Sequence, residues 1–497
     1  MTFSIIDGII VLLYLAGIAL FGVLMGGRQR SARDYFISDR PIPWWAVCGT
    51  IVATETSALT FLSLPGLAYG GSLLFLQLAI GYILGRIAVA VFLIPRYFEG
   101  EIDTAYAVIE RRFSPSLRRS ASAVFMGTRL FADGVRLYTT AIPLALLMEG
   151  FRLFPGTGSS EVYVVAMAVL TVLTLLYVYF GGIRAVIWTD VAQWFIYIFG
   201  AAISLYVLSS LLPSSFAETV STLSAKGKLQ VISILPPGGL SALLTEPYTL
   251  IGGVVGGAVL SMASHGTDQL IVQRVLASGA RRPAQRAMIL SGVVVFFQFA
   301  LFLLVGALLS LYLEAGSYTS NEVFAVFILS ELPVGVTGLI VAGILAAAMS
   351  TLSSSISALS STTMLDFILP AHRKAFDDAR ALRWSRGLAF FWAVVLFLVS
   401  LLFIRTPDVV VELALSIASY TYGGLLGLFI LTLLPGAVST RAAGAGFVVG
   451  ILGNAVVILL TPLAWTWYTL SGTLLTVGAA LLLSALDRGK GTGGDLV

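Results

Sequence analysis

The chain has 497 residues, 58% of them hydrophobic and only 11% charged, with a mean hydropathy of +0.97. A soluble domain carries roughly 25% charged residues, so the composition excludes a soluble enzyme and predicts an all-α polytopic membrane protein. The net charge of +4 is dispersed, which excludes a nucleic-acid footprint, and the single cysteine, Cys48, excludes a disulfide framework.

A helix crosses the bilayer with about 20 apolar residues. Such segments fall near 3–25, 44–66, 72–95, 120–148, 161–180, 187–212, 247–272, 287–313, 335–365, 385–404, 408–434, 442–462 and 464–486, which predicts about thirteen spans. The links are too short for a separate soluble domain. The first apolar stretch lacks a basic leader and is too long for a signal peptide, so it is predicted to stay as a membrane helix. Alternate links carry Arg28, Arg30, Arg33 and Arg40; Arg96, Arg111, Arg112, Arg118 and Arg119; Arg184; Arg274, Arg281, Arg282 and Arg286; Arg373, Lys374, Arg380, Arg383 and Arg386; Arg441; Arg488 and Lys490. The opposite links hold only Arg152, Lys226, Lys228 and Arg405. The positive-inside rule therefore predicts an external N-terminus and a cytoplasmic C-terminus in the plasma (inner) membrane, in agreement with an odd span count. Arg86, Arg129 and Arg136 remain at membrane depth.

The link 96–119 reads as amphipathic and interfacial. The link 213–246, with Pro236-Pro237-Gly238-Gly239, reads as an external loop with short surface helices. Two spans look interrupted. The second has a polar centre, Thr54-Glu55-Thr56-Ser57, and the seventh pairs Gly252-Gly253 and Gly256-Gly257 with His265-Gly266-Thr267-Asp268-Gln269. Five spans separate them, so they point oppositely across the membrane. A matched pair of broken helices is the sequence pointer to an inverted-repeat transporter with a midplane site. The ninth span holds Ala346–Ser361, in which eight of sixteen residues are Ser or Thr. At helical spacing Ser350, Ser353, Ser354, Ser357 and Ser361 share one face. Such a face serves either close helix packing or a hard cation that takes oxygen ligands.

Several stretches together resemble the solute:sodium symporter family, which includes sodium-coupled glucose, proline and sialic-acid carriers. They are Ala53 to Phe61 (ATETSALTF), Gly181 to Asp190 (GGIRAVIWTD), Asp268 to Arg274 (DQLIVQR), Ala346 to Ser361, and Pro435-Gly436 leading to Gly444. The resemblance implies a LeuT-type fold: two inverted five-helix repeats at 44–212 and 247–434, joined by the external loop 213–246. An extra helix and cytoplasmic loop, 1–43, precede them, and two helices and a tail, 435–497, follow in a single transporter domain. It implies a sodium site of backbone carbonyls from Ala53, Thr56 and Ala347 with hydroxyls from Ser350 and Thr351. A second sodium site, present in some members, would take Asp190, Ser350, Ser353 and Ser354; alternatively Asp190 caps the helix that starts there. One or two sodium ions are thus the expected coupling ions. Neutral hard oxygens suit an alkali cation rather than a transition metal, and two histidines form no metal cluster.

Glu55 departs from the sialic-acid carrier, which has a neutral hydroxyl residue there. A carboxylate at membrane depth costs a few kcal/mol and is a functional hypothesis by default. Glu55 would bind solute, take a proton, or pair with Arg129 or Arg136. Arg129, Asp133 and Arg136 share a face of the fourth span, so one arginine has Asp133 and the other a second partner. Further solute-binding candidates are Ser57, Thr60, Phe75, Gln77, Arg136, His265, Asp268, Gln269 and Tyr422, with Tyr420 beside them. Arg274 reads as an anchor at a cytoplasmic helix end, and Ser357 and Ser361 as packing. The expected function is sodium-coupled symport of a small polar solute into the cell by alternating access, by a chain functional as a monomer in the lipid bilayer. Proton coupling through Glu55 or Asp190 is the alternative within that class. A channel or sensor is the alternative outside it, although the tail after Asp487 is short for a signalling domain. No intramembrane nucleophile–base pair or metal motif points to an enzyme.

Overall fold

The computed structural model describes residues 4–100, 102–150, 158–234, 238–239, 241–313, 322–372, 376–404, 410–434, 436 and 438–491, and among these there is no strand. Arg152, Pro236, Pro237, Arg373, Lys374, Arg405 and Pro435 lie outside the described residues.

Helix α1 (Ile5–Gly26) starts at a capping box, in which Ser4 accepts from the Ile6 amide and Asp7 accepts from the Ser4 amide. Helices α2 (Trp44–Glu55) and α3 (Ala58–Gly70) form one span bent by 62°. Helix α4 (Leu76–Ala88) runs on to Tyr97 through a π-turn. Helix α5 (Pro115–Gly150) carries the charged face with Arg129, Asp133 and Arg136. Helix α6 (Ser159–Leu211) is continuous across the predicted link between two spans. At 1.5 Å per residue its 53 residues would run about 80 Å, more than twice the hydrocarbon thickness. It folds back at Gly182, whose φ of 57° only glycine adopts without strain and whose missing Cβ admits the Tyr35 carbonyl at 2.6 Å.

A short helix, α7 (Phe216–Ala225), lies in the link 213–246. The second broken element is α8 (Gly257–Gly266) with α9 (Gln269–Ala277). Then come α10 (Arg281–Tyr312), the serine helix α11 (Val336–Thr362), α12 (Asp378–Ser400), α13 (Val410–Leu433), α14 (Thr440–Leu460) and α15 (Tyr468–Gly491). Among the described residues eight helices, or nine with the α2–α3 pair, are long and apolar enough to cross a membrane. The expected thirteen exceed this because α6 holds two crossing lengths, α5 carries several charges, and the α8–α9 element is short and interrupted.

Helix α11 sits at the centre, with 89% of its span window buried against 28% for α1, α12 and α14. It packs against α6, α5 and α1. Asp7 accepts hydrogen bonds from the Gly335 and Gly338 amides at 2.7 and 2.8 Å, so α1 caps the start of the serine helix. The link 96–119 departs from the interfacial expectation. Thr104, Ala105, Tyr106 and Ile109 are buried there, and Thr104, Arg118 and Ser122 all donate to Asp366 beyond the end of α11. Burying Asp366 requires those donors, and they pull the link under the bundle.

Candidate ion and solute site at the helix breaks

Helix α2 ends because its hydrogen bonds change partners. The Thr56 amide still reaches the Val52 carbonyl at 3.1 Å. The Ser57 amide turns to the Glu55 carbonyl, and the Thr60 amide turns to Ser57 Oγ, which caps α3. In an unbroken helix those two amides would bond to the Ala53 and Thr56 carbonyls, so the break releases both oxygens. The Thr56 hydroxyl accepts from the Gln298 side chain, which Trp194 holds at 2.9 Å.

The serine helix faces this break: Thr54 Oγ1 lies 3.4 Å from Ser354 Oγ. Along α11 the Thr351 hydroxyl donates to the Ala347 carbonyl at 3.1 Å, and the Ser353 and Ser354 hydroxyls donate to the Ser350 carbonyl at 3.0 and 2.7 Å. Ser350 Oγ is fully buried and has no hydrogen-bond partner among the described residues; the same holds for Asp190 Oδ1. Unpartnered buried oxygens are costly in an apolar interior. Released carbonyls beside a hydroxyl-rich helix face form an uncharged oxygen set, which fits a dehydrated alkali cation.

The charged residues form pairs that sequence reasoning did not find. Glu55 pairs with Arg86, not with Arg129 or Arg136. Arg86 also donates to Ser291 at 2.8 Å. His265 Nε2 stands 3.7 Å from the Glu55 carboxylate and has no hydrogen-bond partner, while its Nδ1 meets Ser264 Oγ at 2.9 Å. Arg129 binds Asp268 through Nε at 2.9 Å, and Tyr422 donates to the same carboxylate at 2.8 Å. Asp268 also caps α9 by accepting from the Leu270 amide. Arg136 pairs with Asp133 at 3.2 Å, and Ser355 donates to the other Asp133 oxygen at 2.6 Å.

Asp190 is not a helix cap: it lies inside α6, and its Oδ2 accepts from Thr50 and, at 3.0 Å, from Arg274. Arg274 is not at a helix-end surface; it is completely buried. Burial without compensation would be prohibitive for a guanidinium, so each of these arginines needs a carboxylate. A second cation sharing Asp190 about 4 Å from that guanidinium would meet a repulsion of about 4 kcal/mol at an effective dielectric of 20.

The remaining candidates divide. Ser57 and Thr60 face each other across 3.4 Å at the start of α3. Phe75 packs on Tyr248 and Phe299, with ring centroids 5.8 and 5.6 Å away. Gln77 bonds to the Tyr248 carbonyl and the Ser233 amide, so its amide group ties the loop 226–250 to α4 rather than facing the breaks. Gln269 bonds to the Ala105 amide and to Ser361, and Gln273 bonds to Ser357. Ser357 and Ser361 thus join α11 to α9. The Tyr420 carbonyl accepts from Asn454. Arg86, Arg274, Thr50 and Ser355 were missed as site members. The available signal was that an arginine in an apolar span requires a carboxylate; Arg274 was masked by the basic cluster that follows it.

The model of the sodium:solute symporter family matches residues 35–450. A sodium/sialic acid symporter of Proteus mirabilis (strain HI4320) is 26% identical over 488 residues, covering 95% of this chain and 93% of its own. A sodium/sialic acid symporter of Aliivibrio fischeri (strain ATCC 700601 / ES114) is 27% identical over 500 residues, covering 98% and 94%. The solved substrate-bound, outward-open structure of a Na+-coupled sialic acid symporter, described as revealing a novel Na+ site, aligns with a TM-score of 0.84. It covers 97% of this chain and 98% of its own at 24% identity, which establishes a shared fold. The chain belongs to the sodium:solute symporter family, and it is a multi-pass membrane protein that couples solute movement to sodium rather than an enzyme.

Proposed function

We propose that this symporter carries a small, carboxylate-bearing polar solute into the cell with sodium bound between the α2–α3 break and the serine helix. The ligands are the Ala53, Thr56 and Ala347 carbonyls with the Ser350 and Thr351 hydroxyls. The observation that carries the reading is the buried, unpartnered Ser350 Oγ on the helix that packs against the break with its two released carbonyls. Sodium there would bridge the broken helix to α11 and favour the outward-facing arrangement. Its release into low cytoplasmic sodium lets both cargoes leave. The solute is placed beside the break, near Glu55, Ser57, Thr60, Arg136, His265, Asp268 and Tyr422. Two inverted repeats, 44–212 and 247–434, rock about this site within a thirteen-span protein, N-terminus outside and C-terminus cytoplasmic, acting as a monomer. The sialic-acid relatives and the balanced arginine–carboxylate pairs support an acidic solute: four arginines meet four carboxylates, and a sodium adds one positive charge.

The test is uptake into proteoliposomes, screening sialic acid, amino acids, monocarboxylates and sugars with and without an inward sodium gradient. Equal uptake in both conditions refutes sodium coupling at this site. In Ser350→Ala with Thr351→Ala, loss of two oxygen ligands raises the half-saturating sodium concentration at least tenfold, which corresponds to about 1.4 kcal/mol, with the protein still folded. A proton gradient alone does not drive uptake, because Glu55 and Asp190 each face an arginine.

A further inference from the structure

Arg274 comes from the second broken helix, yet its guanidinium reaches three other elements. Nε donates to Thr50 on α2 at 2.8 Å, Nη2 to Asp190 on α6 at 3.0 Å and also to Ser354 on α11, and Nη1 to the Leu270 carbonyl at 2.5 Å. Arginine stays charged under all physiological conditions. A permanent positive charge therefore already sits on two of the four residues that form the candidate second sodium site. A third, Ser353, donates to the Ser350 carbonyl. Two oxygens remain there, Asp190 Oδ1 and Ser350 Oγ. The first belongs to a carboxylate that Arg274 neutralises, and the second faces the sodium proposed above.

We infer that Arg274 is a tethered cation that takes the place of a second sodium at Asp190, so that this symporter binds one sodium per cycle. The inference rests on the sodium site at Ser350 and adds the residue that sets its stoichiometry. Arg274 is a positioning residue: it holds the cytoplasmic half of the second broken helix against α2, α6 and α11 without itself touching cargo. Because the cation is part of the chain, this contact does not depend on the external sodium concentration. A mobile ion at the same point would make it do so.

The experiment counts isotopic sodium bound at saturation to the purified full-length protein, together with its melting temperature against sodium concentration. The intact chain binds one ion. Arg274→Gln leaves Asp190 without its counter-charge and binds two, with a steeper rise of melting temperature with sodium. Arg274→Lys keeps one. The double variant Asp190→Asn with Arg274→Gln, which removes both charges and spares the buried carboxylate, also keeps one. Two ions in the intact chain overturn the inference, as does loss of the single ion in the double variant, since that ion would then have been bound by Asp190. Either result reads without the Arg274→Gln variant, which matters if that variant does not fold. No saturable sodium binding in the intact chain instead refutes the sodium site itself.

Discussion

At the residue scale the membrane interior is occupied by matched opposite charges. Glu55–Arg86, Asp268–Arg129, Asp133–Arg136 and Asp190–Arg274 each join residues of opposite sign, and three of the four pairs cross between elements. Removing one partner of a buried pair leaves an uncompensated charge, at a cost of about 3–5 kcal/mol. Glu55→Gln and Arg86→Gln should each lower the melting temperature of the detergent-purified protein markedly. The double variant should lose less than the sum, by a coupling of about 0.5–3 kcal/mol. Additive losses would show that the pair is not energetically linked. Glu55 was legible in the sequence as a buried carboxylate with a task, but its partner was not. Sequence spacing placed Arg129 and Arg136 on one face of α5; it carries no information on which of three intramembrane arginines meets α2, because that depends on the depth and rotation of separate helices.

At the scale of elements, close packing depends on where glycine lies. On α1, Gly22 packs on α6, and a Cβ there would meet Tyr177 Cβ at 2.6 Å, whereas one at Gly17 would meet nothing within 4 Å. Gly22→Ala should therefore destabilise by about 1–3 kcal/mol through overpacking. Gly17→Ala should be neutral or stabilising by up to about 1 kcal/mol, as expected for a helix interior. Parallel thermal-shift and expression measurements on the two variants make the comparison, and equal losses would show that α1 is not seated on α6 as described. Both broken helices were visible from their polar centres, because unwound backbone at that depth needs polar neighbours. The kink at Gly182 was read as a gap between two spans: Gly181-Gly182 marks a bend, and only the backbone shows that the helical register resumes beyond it.

For the whole molecule, the ion count sets what the gradient can do. One charge falling through 100 mV yields about 2.3 kcal/mol, and a tenfold sodium gradient about 1.4 kcal/mol. With one sodium and a monoanionic solute no net charge crosses, so only the chemical gradient acts and accumulation saturates at about tenfold. A neutral solute would reach roughly 500-fold. Uptake of the carboxylate solute should therefore be insensitive to an imposed inside-negative potential, measured with a potassium diffusion potential in proteoliposomes. Strong stimulation would require a second cation per cycle.

Composition and the period of apolar residues are local properties, and they were sufficient for the membrane class, the serine face of α11, the two helix breaks and the family. Pairing is not local. Arg274 meets Asp190 across 84 residues and Arg129 meets Asp268 across 139. A basic cluster beside Arg274 made it look like an interfacial anchor, since charge is ordinarily excluded from the bilayer core. Only the tertiary structure, by bringing Thr50, Asp190 and Ser354 around it, supplied the donors and acceptors that let it be buried.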